Sequence, residues 1–199
     1  MSSHRDGDLL ARDLCFLDVE TSGSVFGYHE IVDIAAVRTT PDAALILGKW
    51  QKRIRPRRPE RFSPYARDLN GYTPELWARA EESTVPLWSE FVAFVKGCVP
   101  VCHNPSFDRA FITLAAAQQG ILELGLDYHW IGTESLAWPF YKQSILQTLS
   151  LEALCTFFGV GVEPHPHTAL DGALACWRVY QVLMDRQTAR QLSGWPRPS

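Results

Sequence analysis

The feature that most constrains this chain is a short apolar run ending in two carboxylates. Residues 14–20 read LCFLDVE. A run of that length, rich in apolar residues and bounded by polar ones, is expected to form a central strand over 14–19. Side chains two apart on a strand share a face, so Asp18 and Glu20 converge while Leu17 and Val19 point the other way. Two like charges emerging from an apolar strand repel each other and lose hydration. A divalent cation offsets both penalties. The plainer alternative is that the pair marks the exposed end of a strand, although the small turn Thr21-Ser22-Gly23 would let backbone amides approach a ligand there.

The segments downstream of this strand limit the architecture further. Residues 31–39 (IVDIAAVRT) and 43–54 (AALILGKWQKRI) read as a second and third strand, separated by turn residues, so the first three strands are expected to form an antiparallel meander. Asp33 is the one acidic interruption of the second. Residues 55–72, rich in Pro and Arg, read as a surface loop. Helical spacing then appears over 74–79 and 85–96, where Leu87, Phe91, Phe94 and Val95 line one face. A buried strand is expected at 99–102, a helix at 106–119, a fifth strand at 128–131, a helix at 149–158 closed by Gly159, and a long helix at 169–186. Strands first and alternation afterwards indicate an α/β fold, a mixed sheet flanked by helices. The expected division is an N-terminal extension over 1–13, one domain over 14–186 and a C-terminal tail over 187–199.

Composition excludes several classes. Hydrophobic residues make up 46% and charged residues 21% of 199, which suits a chain with a substantial core rather than a disordered one. The net charge of −3 argues against nucleic-acid binding by bulk charge alone. Locally the balance reverses: residues 52–61 (KRIRPRRPER) hold six basic side chains and one acidic one, a candidate guide for a phosphate backbone or simply a solvated loop. The five cysteines, Cys15, Cys98, Cys102, Cys155 and Cys176, include no CxxC pair and fall mostly in apolar runs. They read as reduced, buried thiols, and a zinc site at Cys98, Cys102 and His103 lacks a matching second half. No run reaches the length of a membrane span and no signal-type segment opens the chain, so a soluble cytoplasmic protein is expected.

Two further motifs carry chemistry: HNPSFD at 103–108, opening a helix after the fourth strand, and HTALD at 167–171, opening the last one. Taken in order, FLDVET, HNPSFD and HTALD resemble the DEDDh exonucleases, which include polymerase proofreading subunits, ribonuclease T and oligoribonuclease. NGYTP at 70–74 is similar to a turn, and SLEAL at 150–154 to a helix, common in that family, and the resemblance runs from about Leu14 to Met184. It implies a ribonuclease-H-like fold and a 3′→5′ exonuclease that acts on the 3′ end of single-stranded DNA or RNA and releases nucleoside 5′-monophosphates. It also implies two Mg²⁺ or Mn²⁺ ions held by the carboxylates of Asp18, Glu20 and Asp108, with His167 as general base, a role suited to imidazole near neutral pH. Thr21, Tyr72, His103, Asn104 and Phe107 are the expected substrate-binding positions. Some relatives work inside replication, repair or RNA-decay assemblies, so a protein partner is a further expectation.

The chain departs from the family at one place. The family's last metal-binding Asp lies five residues after the motif His, and here that position is Gly172; Asp171 comes one residue early. One residue on a helix turns the side chain by about 100°. Asp171 is therefore a metal ligand only if the helix start is altered, for which Pro164 and Pro166 are candidates; otherwise it is a first-turn acid favoured by the helix dipole. A catalytically weakened nucleic-acid-binding or interaction module that retains the fold is the alternative function.

Overall fold

The computed structural model describes residues 6–185. The expected C-terminal tail, 187–199, lies outside the described residues, as does Arg186. Five strands form one sheet: β1 (Leu14–Thr21), β2 (Ile31–Thr39), β3 (Ile46–Arg53), β4 (Val99–Cys102) and β5 (Ile131–Gly132). Their order is β3-β2-β1-β4-β5. The β1–β2 and β2–β3 pairs are antiparallel, the expected meander, whereas β4 runs parallel to β1 and β5 parallel to β4. Among the described residues the α-helices are α1 (Pro64–Leu69), α2 (Pro74–Trp77), α3 (Val85–Val95), α4 (Pro105–Ala117), α5 (Thr133–Lys142), α6 (Leu151–Phe158) and α7 (Ala169–Met184), preceded by a 3₁₀ turn at Asp6–Ala11.

β1 is central, which is why it is apolar on both faces. Cys15, Leu17 and Val19 pack toward Leu87, Trp88 and Phe91 of α3 and Phe111 and Ile112 of α4. Phe16, with Val37 of β2, packs on the other side against Ala173, Cys176 and Tyr180 of α7. The Phe16 and Tyr180 rings meet edge to face at 5.4 Å. Each large apolar side chain buried this way stabilises the fold by about 1.5–3 kcal/mol. The alternation puts Asp18 and Glu20 on the α7 side of the sheet, opposite Leu17 and Val19. Asp33 joins them there, because it pairs with Glu20 across the β1–β2 ladder.

Several expected boundaries shift. The third strand begins at Ile46 rather than at 43, because residues 40–43 turn, with the Ala43 N–H donating to the Thr40 carbonyl. The fifth strand is Ile131–Gly132, later and shorter than 128–131. The stretch 55–72 contains α1, whose first turn is capped by the Ser63 hydroxyl accepting from the Ala66 N–H. No expectation covered α5, which carries an internal Pro139. All five cysteines are free and buried, as expected. Among the described residues no helix is long and apolar enough to cross a membrane.

Candidate active site

Four chain segments converge at the C-terminal end of β1. The first is β1, presenting Asp18 and Glu20. The Glu20 residue is 9% exposed, and among the described residues nothing donates a hydrogen bond to its carboxylate. Asp18 keeps one accessible edge but is otherwise surrounded by protein. Burial, then the charges of Asp108 and Glu20, pushes its carboxyl well above the usual range. Burial, then Glu163 and Asp33, lifts Glu20 to about 8.

α4 supplies the next acid. Asn104 caps this helix, its side-chain oxygen accepting from the N–H groups of Ser106 and Phe107. That cap fixes the first turn and directs Asp108, 4% exposed, back toward β1. Burial raises Asp108 to about 7, although the nearby Val19 N–H favours its charged form. Phe107, half-buried, lies against Phe111 at 4.8 Å between ring centres.

The third segment joins α6 to α7 and carries Glu163 and His167. It is held from outside: the His167 N–H donates to the Leu69 carbonyl at 2.9 Å. Gly71, at φ +60°, turns directly beneath Pro166, where a Cβ would lie 2.8 Å from the proline ring. The adjacent Asn70 donates to the Thr21 carbonyl at the end of β1. The NGYTP turn therefore ties the histidine loop to the acidic strand. Ligand atoms of Glu20, Glu163 and His167 lie within 4.8 Å of one another, and the His167 Nδ1 is 3.9 Å from a Glu163 oxygen. Burial, then His165, holds His167 below the ordinary imidazole value, which favours the neutral, proton-accepting form. The segment also contains a cis bond between His165 and Pro166.

The fourth segment is α7. It starts regularly at Ala169 after the N-cap Thr168, whose hydroxyl accepts from the Asp171 N–H and donates to the Asp171 carboxylate at 2.6 Å. Asp171 is thus engaged in the cap, and its charge reaches Glu163 and His167 without joining their cluster. Gly172 faces the site. A Cβ there would sit 2.6 Å from an Asp18 carboxylate oxygen, so the absence of a side chain is what lets Asp18 lie flat against α7. Asp33 buttresses the same corner, accepting from Gln51 and from the Ala169 N–H through one oxygen while the other is buried without a partner.

The remaining expected positions divide in two. Tyr72 is buried, stacked on Phe62 at 4.2 Å and packed near Trp77. His103 has both ring nitrogens occupied inside the protein, Nδ1 by the Thr133 hydroxyl and Nε2 by the Leu149 carbonyl, each at 2.9 Å. Since a carbonyl only accepts, Nε2 carries the proton. Thr21 donates to the Gly23 carbonyl. Asn104 is exposed and Phe107 half-buried, with Phe26 and Tyr28 exposed on the β1–β2 loop. Arg55, Arg57 and Arg58 border a separate cleft of about 350 Å³, with Tyr28, His29, Glu30 and Trp88, that none of Asp18, Glu20, Asp108 and Glu163 lines.

The arrangement suits a hard divalent cation. Its donors are carboxylate oxygens, several are nearly buried, and among the described residues the Glu20 carboxylate has no donor to balance its charge. Sequence reasoning missed Glu163, a loop residue between Gly161 and Pro164 with no periodicity to mark it. Its only signal is an acid four residues before the motif histidine. Asp33 was visible, but only as a break in an apolar strand.

Comparison with known proteins agrees with this geometry. Residues 15–180 match the sequence model of an exonuclease family, RNase_T. The chain is similar to the PolC-type DNA polymerase III of Thermotoga maritima, 30% identical over 168 residues that make up 82% of this chain and 11% of that protein. The corresponding protein of Halalkalibacterium halodurans is 27% identical over 182 residues, 89% of this chain and 12% of that one. The chain therefore spans only 11–12% of the length of these relatives. Among solved structures, E. coli exonuclease I in complex with a dT13 oligonucleotide superposes with a TM-score of 0.76 at 16% identity, covering 90% of this chain and 42% of that one. The nuclease domain of 3′hExo, a DEDDh family member bound to rAMP, gives 0.66 at 19% identity, covering 91% and 92%. At these identities the likeness is one of fold, the ribonuclease-H-like mixed sheet flanked by helices.

Proposed function

The chain belongs to the exonuclease family, in its DEDDh group, and from that premise we propose that it removes nucleotides from the 3′ end of single-stranded nucleic acid, releasing nucleoside 5′-monophosphates. The observation that carries this reading is the convergence of buried carboxylates and a neutral-leaning histidine at one end of β1. Asp18, Glu20 and Asp108 would hold two divalent cations, Mg²⁺ or Mn²⁺, whose chemistry is to neutralise the phosphate and stabilise the attacking and leaving oxygens.

The chain's own residues do the rest. His167 takes the proton of the attacking water, and its loop is pinned to Leu69 so that the ring stays over Glu20. Asp33 holds the first turn of α7 in place through the Ala169 N–H. Phe107 and the exposed Phe26 and Tyr28 offer flat surfaces for terminal bases, with little sequence preference. Asn104, exposed at the start of α4, is the polar group we assign to the incoming strand, while Thr21, His103 and Tyr72, engaged inside the protein, serve it by holding the surrounding backbone. The basic stretch 52–61 is a candidate track for the backbone, and in the relatives' setting a replication partner is the natural companion of such a domain.

A 5′-labelled single-stranded oligonucleotide incubated with Mg²⁺ or Mn²⁺ should yield a descending ladder. The ladder should vanish with Asp18→Asn and slow about 10²–10⁴-fold with His167→Ala. Equal cleavage by all three proteins would rule the assignment out. Gly172 favours one second reading, a site that binds strand without turnover; intact binding of the oligonucleotide with no ladder in the unaltered protein is its signature.

A further inference from the structure

Resting on the reading of this site as a metal centre, we propose that Glu163 supplies the carboxylate missing at position 172, so that the cation-binding set is Asp18, Glu20, Asp108 and Glu163. Position 172 offers only a hydrogen, and the space a Cβ would need is already taken by the Asp18 carboxylate. Asp171 does not fill the gap, because the Thr168 hydroxyl holds its carboxylate at 2.6 Å. Glu163 approaches the acidic cluster from the loop before α7, close enough for its charge to act on Asp18 and Glu20. Its side chain is 11% exposed, and its ligand oxygen lies within 4.8 Å of ligand atoms of both Glu20 and His167.

The cluster is more than a gathering of acids on a surface. Glu20 is nine-tenths buried, has no hydrogen-bond donor among the described residues, and points into the gap between Glu163 and His167. A buried carboxylate without a donor is costly unless a cation or a proton meets it. The loop bearing Glu163 is fastened at the far end of the motif by the His167–Leu69 hydrogen bond and by Pro166 packed on Gly71. Glu163 therefore stands close to the position its role requires, which is how a ligand binds without a large ordering cost. In this assignment the four carboxylates are the ligands, and His167, in contact with the same cluster, is kept as the proton acceptor.

Mn²⁺ binding by the metal-stripped full chain, followed by titration calorimetry, tests this. Glu163→Gln preserves shape and removes the charge, and it should weaken Mn²⁺ binding by about 10–100-fold. Glu163→Asp, one methylene shorter, should fall between the two, and gives a second measurement if the glutamine variant folds poorly. Unchanged Mn²⁺ affinity in Glu163→Gln beside lost affinity in Asp18→Asn would overturn the role of Glu163 and leave the metal centre standing. The same holds if Glu163→Gln only moves the pH profile of cleavage, which would make it a positioning residue for His167. Failure of the unaltered chain to bind Mn²⁺ would overturn the metal centre itself, and this proposal with it.

Discussion

Gly172 shows how much a single side chain controls here. Adding one methyl group in Gly172→Ala would bring a carbon within 2.6 Å of Asp18, and Asp18 has only its own short side chain with which to move away. Alanine in a helix interior is favoured over glycine by roughly 0.5–1 kcal/mol, which offsets part of the crowding. The expected outcome is a melting temperature that holds or rises slightly while cleavage of the labelled oligonucleotide falls about tenfold or more, as Asp18 swings out of register. A large loss of melting temperature with activity retained would mean that Asp18 is not held by this contact. Residues 171 and 172 could be counted from the motif without coordinates. That 171 faces its own cap, and 172 the acidic strand, stems from the regular start of α7.

At the scale of elements, α7 is the part on which the site most depends. It lays small residues, Ala169, Gly172 and Ala173, across β1 and β2, and its first turn is held by Asp33 and by Thr168. Thr168→Ala removes the cap and also frees the Asp171 carboxylate. A loss of about 1 kcal/mol is expected, read as a melting temperature lower by roughly 2–4 °C for a chain of this size. No change would show that the Thr168–Asp171 pair is not formed in solution. Elements with strong patterns were readable in advance: β1, β2, α3, α4 and α7 lie close to their expected ranges. α1 and α5 were not. α1 is six residues inside a Pro- and Arg-rich stretch, and α5 contains Pro139, so local composition argued against both while tertiary packing supports them.

Across the whole molecule the buried carboxylates set how stability responds to pH. Glu20 near 8, with Asp108 and Glu163 near 7, lie above the ordinary carboxylate range of about 4. A raised value in the folded state means that the fold binds protons the unfolded chain has already released. The stabilisation is complete below about pH 4 and is lost as pH rises through 7 and 8. Depressed histidines, His103 and His167, act in the opposite sense, but only below about pH 6.5. Between about pH 6.5 and about pH 8.5 the carboxylates therefore dominate, and the metal-stripped protein should melt several degrees lower at the upper end. Saturating Mn²⁺ should flatten or reverse that slope, because cations bind the deprotonated set. Melting curves in EDTA and in Mn²⁺ across this window check it, and a flat response in EDTA would mean that the carboxylates are hydrated in solution.

Spacing along the chain was enough to identify the central strand and to place Asp18 and Glu20 on one face of it, and the family resemblance of the ordered motifs marked Asp108 and His167 as their partners. Those inferences are local, resting on periods of two and 3.6 residues and on short motifs whose internal geometry repeats. Which side of the sheet receives α7, how the NGYTP turn clasps the histidine loop, and which further carboxylate stands beside Glu20 and His167 were not legible in this way. They depend on contacts between residues far apart in sequence, such as Leu69 with His167 and Asp33 with Ala169. No periodicity encodes such pairings, because they arise only when strands and helices bury their apolar faces against one another. Glu163 is the clearest instance: an unremarked loop acid in the sequence, it lies beside Glu20 and His167 once β1, α6 and α7 have packed.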